Sequence, residues 1–401
     1  MLDRRQFIRG AGGLAAVLTG GKLIGGRAWA QGVTLPFVNG ARPLVQYPQK
    51  RPMIRVTERP PQLETPFAVF DEGAITPNDA FFVRYHLADI PKEIDPDTFR
   101  LEVGGKVGKP LSLSLKDLRA MPATEIVAVN QCSGNSRAFF EPRVAGGQLG
   151  NGAMGNARWK GVPLKTVLDR AGVAAGARQV VLDGLDKPVV AATPDFTKAL
   201  DIDHARDGQV MLAWAMNGAD LPWLNGYPLR VVVPGYYGTY WMKHVNQITV
   251  IDGELDSFWM KTAYRIPDND CHCVPAGGKP DKTVPIGRLD VRSFITNLAD
   301  GAAIKAGATA VRGIAFDGGN GIKEVALSSD GGKTWKPTVL GRDLGKYSFR
   351  TWQTTVKLPA GAAVLMVRAT SRSGEVQPME PRWNPAGYMR NLVETIHVQA
   401  A

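Results

Sequence analysis

Cys132 is the residue of this 401-residue chain best placed to do chemistry. It lies in Asn130-Gln131-Cys132-Ser133-Gly134-Asn135-Ser136-Arg137, a loop of small polar residues behind the apolar positions Ile126, Val127 and Val129. The pattern predicts a strand that ends at Asn130 and delivers the thiol to its C-terminal end, where α/β-type sheets collect ligands. Arg137 follows with a fixed positive charge. A soft thiolate beside a guanidinium suits a transition metal that processes an anion, and it equally suits a nucleophilic cysteine of lowered pKa. A buried structural cysteine is the third reading, because free Cys packs readily.

The chain has three cysteines, too few for a disulfide scaffold at this size. Cys271-His272-Cys273 is a lone C-x-C with no second ligand pair, so free or locally oxidised thiols in a loop are expected there. Without a C-x-x-C-H run, no c-type haem is expected on this polypeptide.

The elements that must position Cys132 divide at a seam. Residues 275–285 concentrate Pro and Gly and read as an irregular linker. Before it, strands alternate with short helices: Ser114 caps one bearing Leu115 and Leu118, and Pro163 opens another that Gly172 ends. After it come short β-segments at Val311 to Phe316, Ile322 to Ser328, Phe349 to Val356 and Val364 to Thr370, separated by glycine-containing turns, as in an all-β sandwich. The fold class expected is α+β, a mixed α/β domain over 67–274 followed by a sandwich over 286–401. Seven prolines in 31–66 predict an extended arm lying on the surface.

Arg4-Arg5-Gln6-Phe7-Ile8 ahead of a mildly apolar stretch, with Ala28-Trp29-Ala30 as a cleavage site, reads as a twin-arginine export signal over 1–30. The stretch is broken by glycines and Lys22 and is too short to span a bilayer, so stable membrane insertion is not expected and a periplasmic address is. Residues 1–30 carry five basic groups and one acid, so the formal net charge of +11 falls to +7 for the mature chain. With no long Lys/Arg run and no recognised binding motif, nucleic acid is excluded as a partner, and an anionic substrate or acidic protein is favoured.

Four ordered motifs resemble the sulfite oxidase family of molybdenum-pterin enzymes. Phe82-Val83-Arg84-Tyr85-His86 resembles its early pterin loop and Asn130 to Arg137 its metal-cysteine loop. Asn225 to Gly235, with Trp241-Met242-Lys243 following, is similar to its central strand and turn, and Trp383-Asn384-Pro385-Ala386-Gly387-Tyr388 resembles a signature of its second domain. The resemblance implies a sulfite oxidase-type molybdopterin domain and an immunoglobulin-like dimerisation domain. It also implies one molybdenum–molybdopterin per chain, with Cys132 as the protein's metal ligand. Cofactor contacts are implied at Phe82, Val83, Arg84, Tyr85, His86, Cys132, Asp186, Asn225, Arg230, Trp241, Met242 and Lys243, with Arg230 and Lys243 as phosphate partners. Catalytic or substrate-binding roles are implied for Arg84, His86, Arg137 and Tyr264, the last in Phe258-Trp259-Met260-Lys261-Thr262-Ala263-Tyr264-Arg265.

Tyr85 stands where the animal enzymes usually have Asn, and Asn225 where they usually have His, which points toward the bacterial sulfite dehydrogenases. No cytochrome b5 domain is expected ahead of the molybdenum domain, and a c-type cytochrome is the expected electron acceptor, as a subunit or a transient partner, in a homodimer or a heterodimer with it. The expected reaction is oxidation of sulfite to sulfate. A periplasmic reductase of sulfoxides or other oxyanions is the rival within the fold, against which the C-terminal β domain counts. Nitrate reduction is a further rival, usually carried with flavin and haem modules. A hydrolase using Cys132 as nucleophile, with His86 or His244 as base, is the rival of another class, and metal analysis separates it.

Overall fold

The structure, a computed structural model, describes residues 33–35 and 40–401. The expected export signal at 1–30 therefore lies outside the described residues. Two five-stranded sheets build the first half. In one, Thr124–Gln131 pairs antiparallel with Met154–Pro163, which pairs in turn with Met211–Met216; Ala219–Asp220 and Arg230–Val232 add to that last strand. In the other, the order is Lys198–Asp201, Gln179–Gly184, Val245–Ile251, Leu101–Gly105 and Leu111–Leu113, with Val245–Ile251 and Leu101–Gly105 parallel.

Short helices cover these sheets for the reasons legible in their ends. Leu115–Arg119 starts at Ser114, whose side chain takes the Asp117 backbone amide while the Asp117 carboxylate takes that of Ser114. Leu164–Ala171 follows Pro163 and stops at Gly172, whose φ of +68° suits glycine. From Val127 to Gln131 every position is buried, so this strand is covered on both faces and its end is held firmly.

The surface arm expected over 31–66 needs correcting over its second part. Met53–Thr57 and Gln62–Glu64 are strands of a four-stranded sheet that ends in Val83–Arg84, and Met53, Leu63, Glu64 and Thr65 are buried. Proline is tolerated at the ends and edges of such short strands, which is why its density misled. The seam also differs from an irregular connector at its far end, because Thr283–Pro285 pairs with Arg265–Pro267. Between these two strands, Cys271 and Cys273 form a disulfide.

The C-terminal half is a β-sandwich. One sheet runs Arg292–Ile295, Gly307–Phe316, Arg350–Leu358, Val339–Leu340; the other runs Ala302–Ile304, Glu394–Ala400, Gly361–Ser371, Ile322–Ser328, Lys336–Pro337. Val311, Val325, Leu327, Trp352, Leu365 and Val367 fill the space between them. The halves share a core: Ile286, Phe294, Phe316, Tyr347, Phe349 and Met389 pack with the apolar residues of the first half. Among the described residues no helix is long and apolar enough to cross a membrane.

Candidate active site

Cys132 leaves the end of its strand in a tightly bonded turn. Its amide donates to Ala153 O (2.9 Å), its carbonyl accepts from Asn135 N (3.0 Å), and Ser136 N donates to Gly150 O (2.6 Å) with Ser136 at φ +70°. Arg137 N closes the turn on Gly134 O at 3.0 Å. The sulfur, free and buried, lines two cavities at once.

The first cavity is a cleft whose lining mixes apolar, polar and charged side chains. Phe82, Arg84, His86, Cys132, Asp186, Asn225, Arg230, Trp241, Met242, Lys243 and Tyr264 line it, so the structure brings these predicted residues together. Arg230 is buried with its guanidinium 4.8 Å from the Trp159 ring and 5.6 Å from that of Trp241, and Nη1 donates to Asn225 O at 2.9 Å. Burial pulls its pKa down to about 9. Lys243 donates to Arg84 O (2.6 Å); burial outweighs the opposing pull of Asp186 and lowers its pKa to about 7. Asn225 is held by Lys50 Nζ, which donates to its Oδ1 at 2.5 Å, and it donates to Phe82 O at 3.0 Å.

Val83 and Tyr85 do not line either cavity. The chain alternates here, and both side chains pack with Met53 and Leu63 in a separate apolar cluster. His244 Nδ1 lies 2.6 Å from Tyr227 O and must donate to it, so Nε2 accepts the Tyr85 hydroxyl proton at 2.6 Å. His244 is thereby committed, and burial holds its pKa down to about 3, so it offers no free base to Cys132.

The second cavity shares Arg84, Cys132 and Tyr264 with the first and adds Gln62, Arg137 and Tyr388. Arg137 donates through Nε to Ala386 O (3.1 Å) and through Nη1 to Gly147 O (3.2 Å). A Cβ on Gly134 or Gly146 would stand 2.8 Å from its guanidinium, so both positions must stay bare for the fork to lie there. Tyr264, at φ +59°, pairs its hydroxyl with His86 Nε2. His86 is stacked on Phe196 with ring centroids 3.6 Å apart; burial first, then Arg84, Lys243 and Lys198, push its pKa well below the usual value and keep it neutral.

Several residues at the site were not singled out from the sequence. Lys198 is buried inside a strand beneath Tyr264, 5.1 Å from its ring, and a single lysine in an apolar segment announces nothing. Lys50 sits in the proline-rich stretch. Tyr388 belongs to a motif noted for its second-domain resemblance alone. Asn130 and Ser133 line the first cavity beside the cysteine they flank.

Arg84, Arg230 and Lys243 face the first cavity and Lys50 stands behind it, against the single carboxylate of Asp186, whose own pKa burial raises. Burial of Arg230 and Lys243 is costly, as their lowered pKa values show, and a bound anion would offset that cost. Asn130 Oδ1, Ser133 Oγ, Thr239 Oγ1 and Arg230 Nε are buried without a hydrogen-bond partner, and their residues line that cavity. An anionic, hydrogen-bond-rich cofactor such as molybdopterin fits this lining. Among the described residues no three His, Cys, Asp or Glu side chains cluster as a metal site.

Two family models identify the class, a molybdopterin oxidoreductase. Residues 86–259 match the family model for the oxidoreductase molybdopterin binding domain, and residues 283–401 match that for the Mo-co oxidoreductase dimerisation domain. Mitochondrial sulfite oxidase of Mus musculus is 34% identical over 383 residues, covering 91% of this chain and 69% of that protein. Sulfite oxidase of Gallus gallus is 35% identical over 368 residues, covering 86% and 78%. Among solved structures, the sulfane dehydrogenase SoxCD from Paracoccus pantotrophus superposes with a TM-score of 0.75 at 27% identity, covering 89% of this chain and 88% of that one. The chain belongs to the sulfite oxidase family.

Proposed function

We propose that this protein is a periplasmic sulfite dehydrogenase that oxidises sulfite to sulfate and passes the electrons to a c-type cytochrome. The observation that carries the reading is the position of Cys132, shared between a cation-rich cofactor cavity and a second cavity lined by Arg84, Arg137 and Tyr264. When bound, molybdenum–molybdopterin supplies oxygen-atom transfer and storage for two electrons. The residues of the chain hold and aim. Arg230 and Lys243 would hold the cofactor's phosphate, and Cys132 would ligate the metal. Arg137 and Arg84 collect a small oxyanion, since planar guanidinium donors match its edges. Neutral His86 takes no charge into the site and fixes the Tyr264 hydroxyl. The chemistry asks the protein for little proton transfer, so positioning and electrostatics are its main contribution.

The twin arginines Arg4-Arg5 and Ala28-Trp29-Ala30 support export in folded form, cofactor included. The match to a dimerisation domain over 283–401 supports a homodimer, with the cytochrome as subunit or transient partner. The likeness to a sulfane dehydrogenase supports a second reading, a sulfane-sulfur substrate in the same cavity.

Protein from molybdate-replete cells should carry about one molybdenum per chain, the stoichiometry of a single cofactor bound through one thiolate. It should reduce cytochrome c with sulfite faster than with thiosulfate, the simplest sulfane anion. Cys132→Ser should abolish that activity with an unchanged melting profile. Full activity in metal-free protein, or in the serine variant, would overturn the assignment, and a preference for thiosulfate would select the second reading.

A further inference from the structure

The sequence motifs give Tyr388 no place in the site, yet it lines the second cavity. Its ring is fixed twice over. Tyr264 lies parallel to it, 5° between planes and 5.4 Å between centroids, and the Arg137 guanidinium carbon sits 5.0 Å from its centre. The backbone is bent to present it: Gly387 and Met389 both hold φ of +60°, a conformation that costs a methionine strain. A Cβ at Gly387 would stand 2.3 Å from Val144 and 2.9 Å from Arg137 Cγ. Asn384 braces the segment, donating to Tyr388 O (2.8 Å) and accepting from Tyr388 N (3.1 Å).

The two stacked phenols differ in what their hydroxyls can do. That of Tyr264 is engaged by His86. That of Tyr388 is steadied by the Tyr264 backbone, and no acceptor among the described residues takes its proton. Burial, the largest influence on it, pushes its pKa up, so at neutral pH it is a donor. A pyramidal oxyanion brings three oxygens, and Arg84, Arg137 and Tyr388 are three donors on one cavity wall.

We propose that Tyr388 determines specificity for the oxyanion: its hydroxyl donates to a substrate oxygen, and its ring holds the Arg137 guanidinium in position to bind another. The proposal rests on the sulfite reading for the identity of the anion, but not for the binding itself.

Sulfate, the product and redox-inert, is the probe. Titrated calorimetrically into the holoenzyme, it should bind Tyr388→Phe at least about tenfold more weakly than wild type, the loss of one hydrogen bond to a charged acceptor. The sulfite KM should rise by the same factor while kcat moves far less, a split that looser packing alone would not give. Tyr388→Leu, which also removes the ring under Arg137, should bind more weakly still. Equal sulfate affinity in wild type and Tyr388→Phe, or no sulfate binding by wild type, overturns the proposal. Wild type that binds sulfate but does not oxidise sulfite sinks the sulfite reading and leaves the calorimetric ratio to decide the role of Tyr388.

Discussion

Arg230 and Arg292 are both buried arginines, and their surroundings teach what a buried charge is for. Arg292 begins a strand of the C-terminal sandwich and reaches into the first half. Its Nη2 meets Glu394 at 2.6 Å and donates to Ser136 Oγ at 2.7 Å, while Glu394 also binds Arg390 at 3.0 Å. Burial still lowers its pKa, but Glu394 opposes it. Arg230 has no carboxylate in ion-pair contact among the described residues; two indole faces, the carbonyl of Asn225 and a longer contact to Trp241 O surround it. The first charge is neutralised from within the chain and ties the cysteine loop to the sandwich. The second has no such compensation among the described residues, and on the reading proposed above the cofactor's phosphate would supply it.

That contrast breaks most visibly under paired substitutions. Arg292→Met should destabilise the protein by about 3–5 kcal/mol, because Glu394 is left buried with a weakened partner set. Arg230→Met, of similar apolar volume, should leave the cofactor-free protein at least as stable while the molybdenum and pterin content of purified protein falls. Denaturant titration of cofactor-free protein and metal analysis read the two effects; equal destabilisation by both variants would erase the distinction. On the substrate side, Arg137→Gln should raise the sulfite KM by roughly 10²-fold, the loss of a desolvated charge-assisted contact, with kcat less affected.

The surplus of buried cations also gives stability a pH dependence. Lys50, Lys198 and Lys243 are each pulled from the ordinary 10.5 to about 7, in every case mainly by burial. Between those values the unfolded chain holds protons that the folded lysines lack, so stability rises with pH through that window and levels off below about 7. Melting of cofactor-free protein should show this slope, and Lys243→Met should reduce it by about a third, since Lys50 and Lys198 remain. In the loaded enzyme the cofactor's phosphate favours charged Lys243, so the slope should be shallower there.

How much of this was legible in the sequence follows from the range of the interactions. The cysteine turn is local: small residues, a preceding apolar strand and Arg137 within five positions carry its conformation, and the structure has them there, with the strand running one residue past the expected end, to Gln131. The helix ends at Ser114, Pro163 and Gly172 were local too. What stayed hidden depends on contacts far apart in the chain. Lys50 owes its burial to Asn225, Asn78 and Phe81, and Lys198 to the carbonyl of Trp259. Tyr388 meets Tyr264 only because the two halves share a core. Residues 53–65 looked like an arm because proline density is local, whereas the pairing that buries them runs to Val83–Arg84.

The stretch from 83 to 85 allows the smallest and sharpest test of the same contrast. Arg84 lines both cavities, while its neighbours Val83 and Tyr85 turn into the cluster with Met53 and Leu63. The resemblance of the whole pentapeptide to a pterin loop treats its residues alike; the alternation of an extended chain does not. Val83→Ala should therefore cost stability, on the order of 1–2 kcal/mol for the methyl groups lost from a packed cluster, while molybdenum content and the sulfite KM stay at wild-type values. Arg84→Gln should do the reverse, leaving the melting temperature nearly unchanged and raising KM. Loss of cofactor in Val83→Ala at unchanged stability would mean that position 83 meets the pterin through its side chain, and that the cavity wall has been drawn one residue too narrowly.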